Sequence, residues 1–205
     1  MLINRESLRA DPRLLEALVS VVSAELPFFC NSYPQFCTWM VGKVLPGLYA
    51  GERTVVIRHR GETVAGFMIV KHTEFERKIC TLRVREPFQR GGLGVRLFEQ
   101  GFELLGTSTP LVSVAGPNLA RFTDLFNYFG FRLAERYEGK YVPSSVEFAF
   151  NGLLSPEHAC DALVDIDSAA TDAFCGEFDA LRRAWFIPNS ATATPPPAKT
   201  PALCA

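Results

Sequence analysis

The chain has 205 residues, 48% hydrophobic and 21% charged, which suits one globular domain with an appendage. Its formal net charge is -1 and its pI about 6.3, so bulk charge gives no support to a general nucleic-acid binder, which would be strongly basic. No apolar run approaches the ~20 residues that span a bilayer, and the N-terminus lacks a signal peptide's apolar stretch, so a soluble, cytoplasmic protein without a membrane partner is expected.

Leu2 to Asn4 read as a short first strand. Asp11 and Pro12 read as N-cap and first residue of a helix whose apolar stripe is Leu14, Leu15, Leu18, Val19 and Val22, and Pro27 is expected to end it. A second helix is expected from Pro34 to Val44, stopped by Pro46 and Gly47. The period then changes. Thr54 to His59, Val64 to Lys71 and Lys78 to Val84 read as three strands, the middle one apolar enough to be covered on both faces. A helix carrying Val95, Leu97, Phe98, Phe102 and Leu105 follows, then a strand from Leu111 to Gly116. A helix over Asn118 to Phe129 ends at Gly130, and two strands close the unit. The order predicts an α+β (α/β layered) fold, with helices against a mixed sheet.

From Asn151 the character shifts. Residues 151–185 carry seven acids and two bases, a net of -5, in a pattern of short capped helices. They are expected to pack on the core or on a second subunit, the latter giving a homodimer. The domain plan is therefore 1–150 for the core, 151–187 for an acidic helical extension, and 188–205 for a disordered tail rich in Pro, Ala and Thr. The six cysteines are Cys30, Cys37, Cys80, Cys160, Cys175 and Cys204. They form no CxxC pair, so reduced thiols and no metal site are expected.

The stretch REPFQRGGLGVRLFEQ, Arg85 to Gln100, puts Gly91, Gly92 and Gly94 where a helix begins, although glycine weakens a helix. A strand that feeds a helix through such a turn leaves the first helical N–H groups unpaired, an anion site reinforced by the helix dipole. A side chain at Gly92 or Gly94 is expected to fill the space a phosphate needs. Arg90 adds charge, with Arg85 and Arg96 beside it. From Lys71 to Arg96 there are seven Lys or Arg and three acids, a local net of +4 in a nearly neutral chain. A di- or polyphosphate ligand follows. The Walker loop and the GxGxxG dinucleotide fingerprint are both absent here.

Gln89-x-x-Gly92-x-Gly94 resembles the pyrophosphate loop of the GNAT superfamily, the acyl-CoA-dependent N-acyltransferases. Lys78 to Leu105 is similar to that family's fourth strand, loop and third helix. Val112 to Phe131 is similar to the next strand and helix, ending in its frequent Gly-Phe, here Gly130 and Phe131. The resemblance is specific from about Lys78 to Phe131 and follows element order over residues 1 to 150. It implies a GNAT-like mixed, mostly antiparallel sheet of six to seven strands flanked by about four helices, with a C-terminal helical extension.

It also implies an N-acetyltransferase that moves an acetyl group from acetyl-CoA to a primary amine, borne by a small molecule or peptide, by direct attack and with no metal. Amides of Gln89, Arg90, Gly91, Gly92, Leu93, Gly94 and Val95 would cradle the pyrophosphate. Leu82, Arg83 and Val84 would lie along the pantetheine arm, Leu82 and Val84 pairing with it through backbone where the strand splays from its parallel neighbour. Asn118 matches a frequent contact to the arm.

The tyrosine that often protonates the leaving thiolate is replaced by Phe126. Tyr128 lies about 200° round the helix from it. Candidate bases on the strand and turn before the loop are His72, Glu74, Glu76 and Cys80, and Lys78 stands where some relatives place a glutamate. Glu76, Cys80 and Tyr128 are carried as the catalytic candidates. The plainer roles are solvated turn charges for Glu74 and Glu76, a small buried apolar residue for Cys80, and packing for Tyr128. Phe28, Phe29, Tyr33, Phe36 and Trp39 read as core, some of them facing an acceptor. Two other readings stand beside the enzyme: a catalytically weak CoA-binding sensor or partner-binding module, motivated by Phe126, and a toxin acting on aminoacyl-tRNA, against which the pI counts.

Overall fold

The computed structural model describes residues 1–154, so the acidic extension and the tail lie outside the described residues. Seven strands form one sheet in the order β1-β2-β3-β4-β5-β7-β6. They are β1 (Leu2–Ile3), β2 (Arg53–Arg60), β3 (Thr63–His72), β4 (Arg77–Val84), β5 (Leu111–Ala115), β6 (Leu133–Glu138) and β7 (Val146–Phe150). All neighbours are antiparallel except β4 and β5, which run parallel. The strands read from β-branched runs are all present, and the sheet is the mixed, mostly antiparallel α+β arrangement of six to seven strands that was expected.

The helices are α1 (Arg5–Ala10), α2 (Leu14–Ser32), α3 (Phe36–Trp39), α4 (Leu45–Ala50), α5 (Leu93–Leu105) and α6 (Gly116–Phe129). The sheet faces bury separate cores. Val55, Ile57, Phe67 and Ile69 meet α2 to α4 on one side. Met68, Val70, Ile79, Val112 and Val114 meet α5 and α6 on the other. This is the period-2 alternation of a sheet covered on both faces.

The N-terminal third departs from the sequence reading in three places. Helix α1 was not expected. Asn4 and Ser7 cap each other's backbone N–H at 2.9 Å, which starts a helix six residues long. Asp11 and Pro12 form a turn, and α2 starts at Leu14. Neither Pro27 nor the Pro46-Gly47 pair ends a helix. Helix α2 runs through Pro27 to Ser32 because Leu26 and Phe29, on either side of it, are anchored in the core. Glu25 is also held there by Arg83 and Arg85 of the sheet end. Helix α3 passes through a π turn, Met40–Val44, straight into α4, with Pro46 among its first residues. The stop comes at Gly51, whose φ of 81° is the left-handed C-cap.

Pro27 is exposed on a helix interior. Pro27→Ala restores a backbone donor and removes the ring's clash with the preceding turn. Urea unfolding is expected to show a gain of about 1–3 kcal/mol. A loss would mean that α2 needs a bend at this point to reach the sheet.

Candidate functional site

The strands β4 and β5 pair only at Lys78 with Leu111 and Ile79 with Val112. Beyond those pairs they part, and a cleft of about 2020 Å³ opens between them and runs under α2 and α3. That exceeds the roughly 300–1,000 Å³ of ordinary small-ligand pockets. The backbone of β4 is open on this side. The Arg85 N–H pairs with Ala65 of β3 at 3.0 Å. Alternation therefore turns Arg83 and Thr81 toward β3, and Leu82 and Val84 toward the opening.

At the mouth lies the glycine turn. Arg90 has φ 61° and Gly92 φ 74°, and these two left-handed residues wind the chain into α5. Amides from Arg90 to Val95 have no acceptor among the described residues. They form a concave row of donors at the positive end of a 13-residue helix. Arg96 closes the turn by donating to the Gly91 carbonyl at 3.0 Å, and Gln89 Nε2 donates to the Val84 carbonyl at 2.9 Å. Gln89, Arg90, Gly92, Gly94 and Val95 line the cleft, whereas the Leu93 side chain is buried in the core.

Several expectations are corrected here. A Cβ at Gly94 would meet Leu125 of α6 at 3.2 Å, so that glycine serves helix packing rather than clearance for a phosphate. The Gln89 N–H is already given to the Glu86 carbonyl at 3.2 Å, so the row of open amides starts at Arg90, and the Gln89 side chain braces a strand end. Arg83 and Arg85 both pair with the buried Glu25, and Arg83 also lies 3.8 Å from the Phe28 ring centroid, so neither extends to the loop. The local positive charge is thus partly spent in structure, and Arg90 and Arg96 are the cations left on the turn.

The catalytic candidates fare unevenly. Glu76 lines the cleft but is ion-paired with Lys71 at 2.6 Å. Cys80 lines it too, as the extra residue of a bulge where β4 slips against β3, and it accepts from Arg53 Nη1 at 3.3 Å. His72 and Glu74 stand exposed at the rim. Tyr128 is 70% exposed on α6 and is no part of the cleft wall. Phe126 is buried against Phe98, Phe131 and Phe150, so its position faces the core and not the opening. Asn118 does line the cleft, with Nδ2 donating to Ser32 Oγ at 3.0 Å. All five aromatics from the region of α2 and α3 (Phe28, Phe29, Tyr33, Phe36 and Trp39) contribute to its wall.

Glu147, which the sequence reading did not single out, meets Tyr33, which it placed among the core aromatics, in the cleft wall. Glu147 of β7 pairs with Ala115 across the strands and is only 3% exposed, yet it lines the cleft. Val112, Val114, Phe148 and Phe150 face α5 and α6, so alternation turns Ser113 and Glu147 to the α2 side. The Tyr33 hydroxyl donates to Glu147 Oε1 at 3.4 Å and accepts from the Ala115 N–H at 3.2 Å. Burial pushes the Glu147 carboxyl up to about 7, although hydrogen bonds from Ser113 and Tyr33 and the charge of Lys78 act against it. Burial, and then the Glu147 charge, push the Tyr33 phenol above its ordinary range. A carboxyl held near neutrality beside a protonated phenol is suited to accepting and handing on a proton at physiological pH.

No family model matches the chain, and no curated protein matches it. Some solved structures are similar in part. Nourseothricin acetyltransferase is 14% identical, with a TM-score of 0.44 over 49% of this chain and 65% of its own, so the chain spans under two thirds of that protein. Ard1 from Thermoplasma volcanium is 18% identical, with a TM-score of 0.43 over 50% of this chain and 70% of its own. A GNAT family acetyltransferase from Elizabethkingia anophelis, with acetyl-CoA bound, is 14% identical, with a TM-score of 0.42 over 53% of this chain and 80% of its own. Function therefore follows from the cleft and not from these likenesses. Among the described residues, no helix is long and apolar enough to cross a membrane.

Proposed function

We propose that the protein is an acyl-CoA-dependent N-acyltransferase that moves an acetyl group from acetyl-CoA to a primary amine on a small molecule or peptide. The observation that carries this is one cleft joining a row of unpaired amides, Arg90 to Val95, to a buried carboxyl, Glu147. The amides suit the pyrophosphate of the co-substrate. The open edge of β4 at Leu82 and Val84 suits its amide-bearing arm, with the Val84 carbonyl already occupied by Gln89.

Bound acetyl-CoA supplies an activated acyl carbon. Glu147 takes a proton from the acceptor's ammonium form, the freed amine forms the C–N bond, and the C–S bond breaks. The thiolate leaves with the electron pair and takes the second proton that the acylated nitrogen sheds, while the first stays on Glu147 until it passes to solvent. The Tyr33 hydroxyl, kept protonated and held by Ala115, orients the Glu147 carboxyl. The Tyr33 phenol lines the opening, which Tyr128 does not. The motive for a non-catalytic sensor was the missing tyrosine of α6, and a phenol on α2's C-terminal side weakens it.

The test is release of free CoA thiol from acetyl-CoA across a panel of primary amines. Amine-dependent release supports transfer. Binding of acetyl-CoA without release from any amine would favour the sensor.

Lys78 gives a pH prediction. Its charge lowers the Glu147 pKa, so Lys78→Met should raise that pKa above about 7. The acid limb of the kcat profile should then move to higher pH, with activity at pH 7 falling more than activity at pH 9. An unmoved limb would mean that the titrating base is another group.

A further inference from the structure

Arg53 opens β2 and is only 8% exposed, yet no carboxylate pairs with it among the described residues. On the same face Glu25 is matched by Arg83 and Arg85, and Glu76 by Lys71. The Arg53 side chain is also fixed in place. A Cβ at Gly47 would come within 2.7 Å of its Cδ, so the α4 backbone lies directly on its stem. Its Nε donates to the Lys43 carbonyl at 3.0 Å, and the Trp39 ring centroid lies 5.4 Å from its Cζ. Nη1 gives one hydrogen bond to Cys80 Sγ, a weak acceptor. Nη2 has no hydrogen-bond partner among the described residues, on a group that lines the cleft. Burying a guanidinium without a counter-ion is costly, and this one is held rigid with its end-on fork unused.

We infer that Arg53 is the subsite for a carboxylate on the acceptor, so that the amine acetylated belongs to an amino acid. This rests on the transferase reading above. A planar fork recognises a carboxylate through two parallel hydrogen bonds. Glu147 stands on β7, two strands beyond the β4 residue Cys80 that Arg53 bonds, so the carboxylate subsite and the base occupy opposite walls of one cleft. Phe28 and Trp39 leave an apolar wall for the acceptor's side chain.

The experiment pairs each of a panel of L-amino acids with its carboxamide and with the amine lacking the carboxyl. All are assayed with acetyl-CoA, and each acid and amide is titrated calorimetrically into the CoA complex. The wild-type chain should prefer acid over amide by about 10- to 100-fold in kcat/KM, chiefly through KM, and should bind the same acids more tightly than their amides. Arg53→Met should abolish that preference, and Arg53→Lys, which keeps the charge but not the fork, should keep part of it. Circular dichroism melting checks that both variants fold. If neither folds, the wild-type acid-to-amide ratio decides alone. Amides and plain amines acetylated as well as acids, or a preference that survives Arg53→Met, would overturn the carboxylate subsite and leave the transferase standing. No acetylation of any class would overturn both.

Discussion

Glu147→Gln is expected to lower turnover by about 10²- to 10⁴-fold while leaving acetyl-CoA affinity within a factor of two. The substitution keeps the shape and removes the one deep carboxyl in the cleft. It should also stabilise the fold at alkaline pH, and the sign can be worked out. The carboxyl rises from an ordinary 4.5 to about 7 on folding. Between those values the native state holds a proton that the unfolded chain has lost. Stability therefore falls as pH rises through that window and levels off above 7, by about 3 kcal/mol in all. Glutamine carries no such penalty. The variant and the wild type should melt together near pH 4, and the variant should melt higher at pH 8. A variant that is less stable at pH 8, or that turns over at the wild-type rate, would remove Glu147 from the mechanism.

The second large effect concerns the turn. Gly91 takes no left-handed backbone, and a Cβ there meets nothing closer than the Phe88 carbonyl at 3.8 Å. Gly91→Glu therefore adds a charge without strain, unlike a change at Gly92 with its φ of 74°. The new carboxylate would stand beside the amide row. Against a pyrophosphate about 5 Å away, near a protein surface, the repulsion is on the order of 2–3 kcal/mol, or roughly 30- to 100-fold in affinity. Gly91→Ala is the control and should bind acetyl-CoA nearly as the wild type does. Thermal shift is the readout. Acetyl-CoA at 100 times its Kd stabilises a protein by about 2.7 kcal/mol, and Gly91→Glu should lose most of that while keeping its own melting point. Equal shifts in both proteins would place the anion site elsewhere.

The turn was legible because its logic is local. Three glycines at a helix start and a run of basic residues need no tertiary partner to be noticed. The strands were legible for the same reason, since β-branched runs bounded by turns declare themselves. Pro27 misled because its effect on a helix is overridden by neighbours that are distant in sequence: Leu26 and Phe29 are held in the core, and Glu25 by two arginines about sixty residues away. Glu147 and Arg53 were missed for a related reason. Glu147 occupies the polar phase of an alternating strand, the phase that normally faces water, and Arg53 is a charge at the head of the apolar phase of β2, where a strand end normally meets solvent. Here α2 to α4 roof that face, and the roof turns both residues into buried groups of a cleft. Nothing near Glu147 in sequence announces Tyr33, 114 residues earlier. Tyr128 shows the converse. It sat next to a motif position, but the helix turned it to solvent.

The most direct measurement is calorimetric titration of the full-length chain with acetyl-CoA. The expected result is one site per chain with a micromolar Kd, weakened at least 30-fold by Gly91→Glu. Absence of binding at millimolar acetyl-CoA by a folded chain would contradict the account at its root.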